Sequence, residues 1–124
     1  MKNLIIALAL IAILSVPAVS FAGDSWSKQD KILEWLSQGT LFLDYAQTMS
    51  IAKHPERWHE VNPILGQHPS PLKVTAYFAT AMALHIGLTE ALPERMRPWF
   101  QGGTIVLELG CVANNLKLGI GFRW

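Results

Sequence analysis

Hydrophobic and polar positions recur at helical spacing in three long segments of the chain. The segments cover about residues 27–53, 71–92 and 93–118, and a Pro-rich loop and a short joint at Leu92-Pro93 separate them. Each segment is long enough for a helix of several turns, and the apolar positions recur without the strict alternation of a strand. The pattern predicts an all-α chain with three helices.

Local signals mark where two of these helices begin. Ser27 stands where a helix N-cap is expected, and Asp30, three residues later, completes a variant of the capping box. Ser70 is the second expected N-cap, and Pro71 occupies the first helical position, where its missing N–H costs nothing.

Each predicted helix carries one narrow line of polar side chains on an otherwise apolar circumference. The lines are Ser37, Thr40, Asp44 and Thr48, then His85 and Thr89, then Thr104, Glu108, Cys111 and Asn115. A soluble amphipathic helix has the reverse pattern, with a broad polar face and an apolar stripe. Inward-facing polar lines are typical of a membrane bundle, because polar groups in lipid must satisfy one another. We therefore predict a small membrane helical bundle, with a soluble periplasmic helical domain as the alternative.

The N-terminal segment has the features of an export signal. Lys2 precedes an unbroken apolar run over 4–14, and a small-x-small cleavage site ends at Ala22. We predict a signal peptide or an uncleaved signal anchor over 1–22, followed by a single helical domain over 23–124 with a short extended C-terminal tail. For a bacterial or phage chain this places the protein at the inner membrane, or alternatively in the periplasm.

Composition narrows the function classes further. Of 124 residues, 51% are hydrophobic and only 15% are charged, which favours a membrane or envelope protein. The net charge of +1, without a basic stripe, gives no electrostatic support to nucleic-acid binding. Cys111 is the one cysteine, so an intrachain disulfide is excluded, and its apolar neighbours predict a small buried side chain.

Three ionisable residues within the predicted helices are the candidates for chemistry. Counting residues from the helix ends places His85 and Glu108 at similar depth, so we expect them to pair. Asp44 lies deeper, where we expect it to meet Thr48 or polar groups of the following loop. The three either act as hydrogen-bonded struts between helices, which we favour, or form an intramembrane enzyme or a proton or ion conduit. No catalytic residue is assigned, and the chain is interpreted as non-enzymatic.

The loop between the first two helices is rich in His, Glu and Pro. His54 and His59 do not form a His-Glu-x-x-His motif, so neither a metal site nor a cofactor is predicted. We expect Glu60 and Asn62 to shape a compact turn in which Gly66 adopts a positive φ. The complete predicted polar seam consists of Asp44, Thr48, Glu60, Asn62, His85 and Glu108.

Two short motifs suggest a family resemblance. The pattern Asp44-x-x-Gln47-Thr48, followed by Glu60-x-Asn62-Pro63-Ile64-Leu65-Gly66, resembles a group of small phage and prophage membrane proteins of uncharacterised function. The resemblance implies a phage-associated envelope protein with few helices, and it brings no known activity.

Binding partners follow from these expectations. We expect contact with membrane lipid and with another envelope protein, in support of superinfection exclusion or lysis. A soluble periplasmic binding or inhibitor module is the alternative. Ala79, Ala83 and Gly87 recur at four-residue spacing, a pattern that would let a second copy of the chain approach closely.

Overall fold

The computed structural model describes residues 26–122 and contains three α-helices. Helix α1 is Lys28–Lys53, α2 is Pro71–Ala91 and α3 is Arg97–Lys117, and a 3-10 turn, Glu94–Met96, precedes α3. Within residues 26–122, the prediction of an all-α fold with three helices is confirmed. The predicted signal or anchor over 1–22 lies outside the described residues.

The predicted helix starts are confirmed to within a residue. The Ser27 hydroxyl accepts a hydrogen bond from the Asp30 amide, and the Asp30 carboxylate accepts one from the Ser27 amide, both at 3.0 Å. The Ser70 hydroxyl accepts from the Lys73 amide at 3.2 Å, and Pro71 follows the cap. These starts were predictable because a capping interaction joins residues only three positions apart.

Helix α1 is the centre of the bundle. It packs along both α2 and α3, while α2 and α3 contact each other only slightly. Side-chain pairs give the directions. The Ser37 hydroxyl reaches the Gln101 carbonyl near one end and the Gln47 amide reaches the Val112 carbonyl near the other, so α1 and α3 are parallel. Helix α2, which lies between α1 and α3 in the sequence, runs antiparallel to both.

A small hydrophobic core lies at the end of the bundle formed by the last turns of α1 and the first turns of α2. Its buried members are Met49, Leu65, Val74 and Phe78. Tyr45 and Tyr77 flank Phe78 in edge-to-face contacts, with ring centroids 5.7 and 5.1 Å away. This cluster fixes the loop against the helices.

The loop between α1 and α2 folds into a self-bonded turn, as predicted. The Glu60 carboxylate accepts from the amides of Val61 and Asn62, and the Asn62 side chain accepts from Ile64, each at 2.9 Å. Gly66 has a φ of +78°, and its amide donates to the Asn62 carbonyl. Positive φ favours glycine because it has no Cβ.

None of the helices within residues 26–122 has both the length and the apolar character needed for a membrane crossing.

Candidate functional site

Most buried polar side chains lie along α1 in two groups. The first, which we call the histidine cluster, contains Asp30, Glu34, His85, Thr89, Arg97 and Gln101, all of them buried. The second, the carboxyl cluster, contains Asp44, Gln47, Glu60, Glu108 and Asn115. Because buried polar groups are costly unless paired, each cluster needs its hydrogen bonds accounted for.

Glu34 is the acceptor at the centre of the histidine cluster. One carboxylate oxygen lies 2.8 Å from His85 Nδ1 and 2.8 Å from Gln38 Nε2. The other accepts from the Thr89 hydroxyl at 3.2 Å and from Gln101 Nε2 at 3.0 Å. Burial alone would raise the pKa of Glu34, but the hydrogen bonds from His85, Gln101 and Gln38 outweigh it and lower that pKa.

The second ring nitrogen of His85 faces α3. His85 Nε2 lies 3.0 Å from the Thr104 hydroxyl, and the ring stacks on Phe100 with centroids 4.6 Å apart. The Thr104 hydroxyl also donates to the Phe100 carbonyl at 3.1 Å. An acid, an imidazole and a hydroxyl thus follow one another in the order of a catalytic triad. Here the hydroxyl is tied to the backbone, so the arrangement orients the ring rather than preparing a nucleophile.

Arg97 closes one end of the histidine cluster. Its Nε donates to the carbonyls of Thr89 and Leu92 at 3.0 and 3.1 Å, and Nη2 donates to the Glu90 carbonyl at 3.3 Å. Nη1 lies 3.6 Å from the Asp30 carboxylate, and both side chains are almost fully buried. The guanidinium therefore satisfies the carbonyls at the C-terminus of α2, where a cation is also favoured by the helix dipole.

The carboxyl cluster places two acids from different helices against each other. Asp44 of α1 and Glu108 of α3 lie close enough for the charge of Glu108 to act on the Asp44 carboxyl group, and Glu108 Oε2 is buried without a hydrogen-bond partner within residues 26–122. Burial, together with the charges of Glu108 and Glu60, raises the pKa of Asp44 to about 7. Burial also raises the pKa of Glu108.

Amide side chains complete the carboxyl cluster. Asn115 Nδ2 donates to the Gln47 carbonyl oxygen at 3.1 Å and lies 3.5 Å from Asp44 Oδ1. Gln47 Nε2 donates to the carbonyls of Val112 and Ile120 at 3.3 and 3.4 Å. These bonds tie α1 to the last turns of α3 and to the tail beyond it.

The predicted pairing of His85 with Glu108 is wrong. His85 pairs with Glu34 in the histidine cluster, and Glu108 pairs with Asp44 in the carboxyl cluster. The depth of a residue along its helix can be estimated from the sequence. That depth does not determine toward which neighbouring helix the side chain points. The alternative that Asp44 meets polar groups of the loop agrees with the structure, because Glu60 acts on it.

The other predicted seam residues have different surroundings. Thr48 is buried, whereas Asn62 lies outside both clusters and donates to the Tyr77 hydroxyl at 3.1 Å. Cys111 was expected to be buried and is exposed, so that prediction is wrong.

Sequence reasoning missed several members of the clusters. Glu34, which accepts four hydrogen bonds, precedes Ser37 by three positions and extends the same line on α1. On α3, Gln101 precedes Thr104 by three positions and Arg97 precedes Gln101 by four, so both extend the line of Thr104. The signal was therefore present, and extending each polar line toward its helix end would have found these residues.

Neither metal-binding geometry nor similarity to known proteins assigns a function to the described residues. Within residues 26–122, no three His, Cys, Asp or Glu side chains are arranged to hold a metal ion. No protein-family model matches the chain, and neither a curated protein nor a solved structure shows significant similarity to it. Function must therefore be argued from the arrangement of its own residues.

Proposed function

We propose that the chain is a non-enzymatic envelope protein held at the inner membrane by the apolar outer surface of its helical bundle. One observation carries the proposal: the usual distribution of side chains is inverted. Across residues 26–122, twelve polar or charged residues are buried against nine hydrophobic ones, so polar groups dominate the interior. Large apolar side chains lie outside, with Trp35 80% and Trp99 82% exposed and Val106 and Leu107 each 71% exposed.

This distribution is unfavourable in water and favourable against lipid. Each exposed apolar Å² costs on the order of 25 cal/mol when it remains in water. Soluble monomers rarely expose large contiguous apolar patches, whereas membrane and partner surfaces do. The support comes from the outer surface of the whole bundle and does not depend on the hydropathy of any single helix.

The proposed role is interaction with other envelope components. The resemblance of the Asp44-x-x-Gln47-Thr48 and Glu60-x-Asn62 motifs to small phage proteins supports a phage-associated role in superinfection exclusion or lysis. A second copy of the chain is a further candidate partner, through the face of Ala79, Ala83 and Gly87.

Fractionation of expressing cells tests the location. The proposal predicts that the chain stays in the membrane pellet after an alkaline carbonate wash and leaves it only with detergent. As a matched pair, Leu107→Lys should weaken this retention, while Glu94→Lys, at an exposed position already polar, should not. Release of the wild-type chain by carbonate as a dissolved monomer would instead favour a periplasmic module.

Phage growth tests the role. Cells expressing the chain should show either a reduced plating efficiency of related phages or an altered time of lysis. The control is the same chain with residues 2–22 deleted, which should not reach the membrane. If neither quantity changes, the exclusion and lysis roles are both wrong, whatever the fractionation shows.

A further inference from the structure

A small pocket lies at the end of the bundle opposite the histidine cluster. It is formed where the C-terminus of α1 and the turn after it meet the tail that follows α3, and its volume is about 70 Å³. The lining residues are Ser50, His54, Arg57, Trp58, Gly119 and Gly121. None of these residues belongs to either buried polar cluster.

The Arg57 side chain of this pocket has hydrogen-bond donors available to a ligand. The Arg57 guanidinium lies over the Trp58 ring, 5.7 Å from its centroid, and it forms no hydrogen bond or ion pair with any residue in 26–122. Stacking on an aromatic ring holds the guanidinium while leaving its N–H groups available. His54 Nδ1 is bonded to the Ser50 carbonyl at 2.9 Å, which fixes the ring beside it.

The tail forms the opposite wall. Helix α3 ends at Lys117, and Gly119 then adopts a φ of +79°. A Cβ at Gly119 would lie 3.5 Å from the edge of the Trp58 ring, so the backbone passes close to the indole. The buried side chain of Ile120 holds the tail in this place. The backbone amide of Ile120 also holds it by donating a hydrogen bond to the Asn115 carbonyl.

Charge around the pocket is positive. Lys53 and Lys117 lie in the last turns of α1 and α3 at this end of the bundle, in addition to Arg57. Of the nearby acids, Glu56 is exposed in the same turn, and the Glu60 carboxylate is occupied by the amides of Val61 and Asn62. The three basic side chains Lys53, Arg57 and Lys117 therefore stand against two acidic ones, Glu56 and Glu60.

We propose that this pocket binds a phosphate group, either of inorganic phosphate or of an anionic phospholipid headgroup. Its volume corresponds to roughly two water molecules, far below the several hundred Å³ of a cofactor pocket, so it suits a single tetrahedral anion. Arginine recognises phosphate through paired N–H groups, and the Arg57 donors meet that requirement. The proposal stands apart from the membrane location, because phosphate binding can be measured without a bilayer.

One experiment with two arms tests the proposal and distinguishes inorganic phosphate from the phospholipid headgroup as the ligand. The first titrates inorganic phosphate into the detergent-solubilised full chain by calorimetry. The second compares flotation with vesicles of phosphatidylcholine alone and with added phosphatidylglycerol. Arg57→Gln should weaken binding about tenfold in whichever arm shows it, since a charge-assisted hydrogen bond is lost. Arg95→Gln is the matched control, because Arg95 is exposed at the other end and carries the same charge.

Each outcome has a defined meaning. Arg57-dependent binding of inorganic phosphate supports the site with a free anion as ligand. Arg57-dependent preference for phosphatidylglycerol alone supports it with the headgroup as ligand. Equal effects of Arg57→Gln and Arg95→Gln, or no effect of either, would overturn the proposal, and unchanged circular dichroism of both variants excludes misfolding as the cause.

Discussion

Asp44 is the residue whose ionisation is most strongly linked to folding. Its pKa is raised from 3.8 to about 7 in the folded chain, so the folded state binds more protons than the unfolded state between these values. The stabilisation is fully present below pH 3.8 and is lost as the pH rises through about 7. The groups that face Asp44 are Glu108 and Cys111 of α3 and Glu60 of the loop.

We therefore predict that the free energy of unfolding falls between pH 4 and pH 7, and that Asp44→Asn flattens this dependence. At about 1.4 kcal/mol per pKa unit, the difference in slope should amount to roughly 2–4 kcal/mol over the interval. Urea unfolding of both proteins at several pH values, in one mild detergent, measures it. Parallel curves for the two proteins would mean that folding does not raise the pKa of Asp44.

Glu34 is predicted to be the most important acid for stability. Glu34→Ala removes the carboxylate beside His85 Nδ1 and one of the two acceptors of both Thr89 and Gln101, so it should cost roughly 2–4 kcal/mol. Glu94→Ala removes an exposed acid and should change the stability by less than about 0.5 kcal/mol. Chemical unfolding midpoints compare the two, and equal small losses would show that the histidine cluster adds little.

At the scale of the helices, Arg97 of α3 stabilises the C-terminus of α2. Arg97→Gln should leave carbonyls at the end of α2 unpaired and destabilise the chain by roughly 2–4 kcal/mol. Hydrogen exchange of the amides in the last turn of α2 should accelerate more than exchange in its first turn. Uniform acceleration, or none, would contradict this role, and Arg95→Gln is the control.

Substitution of two glycines by alanine should change the stability in opposite directions, which tests the backbone conformation at each position. Gly66 has a positive φ in the loop, so Gly66→Ala should destabilise the chain by about 1 kcal/mol. Gly39 lies within α1 with open space around it, so Gly39→Ala should stabilise by about 0.5–1 kcal/mol. Thermal unfolding of the two variants checks both signs, and a stabilising Gly66→Ala would refute the turn as described.

The helices themselves were predictable from sequence, and their pairing was not. Ser27, Ser70 and Gly66 act through contacts within a few residues, so their effects can be inferred from the sequence around them. The partner of His85 depends on how far each helix is rotated about its axis when it packs. The sequence pattern indicates the depth of a residue along its helix but not the rotation of the helix about its axis. It therefore paired His85 with the wrong acid.

The whole molecule is organised around a polar interior. Charged and amide side chains of α1 reach both other helices, and the apolar side chains of α2 and α3 are left largely on the outside. The polar lines seen in the sequence indicated this arrangement correctly for α1 and for most of α2 and α3. They failed at Cys111, whose side chain is exposed.

If the outer apolar surface contacts lipid, as we propose, a spin label on that surface should be shielded from water. The label is attached at Leu107→Cys in a Cys111→Ser background, in vesicles, with Glu94→Cys as the aqueous control. Collisions at position 107 should be frequent with oxygen and rare with a water-soluble nickel complex, and position 94 should show the reverse. Free access of the nickel complex to position 107 would show that this surface does not contact lipid.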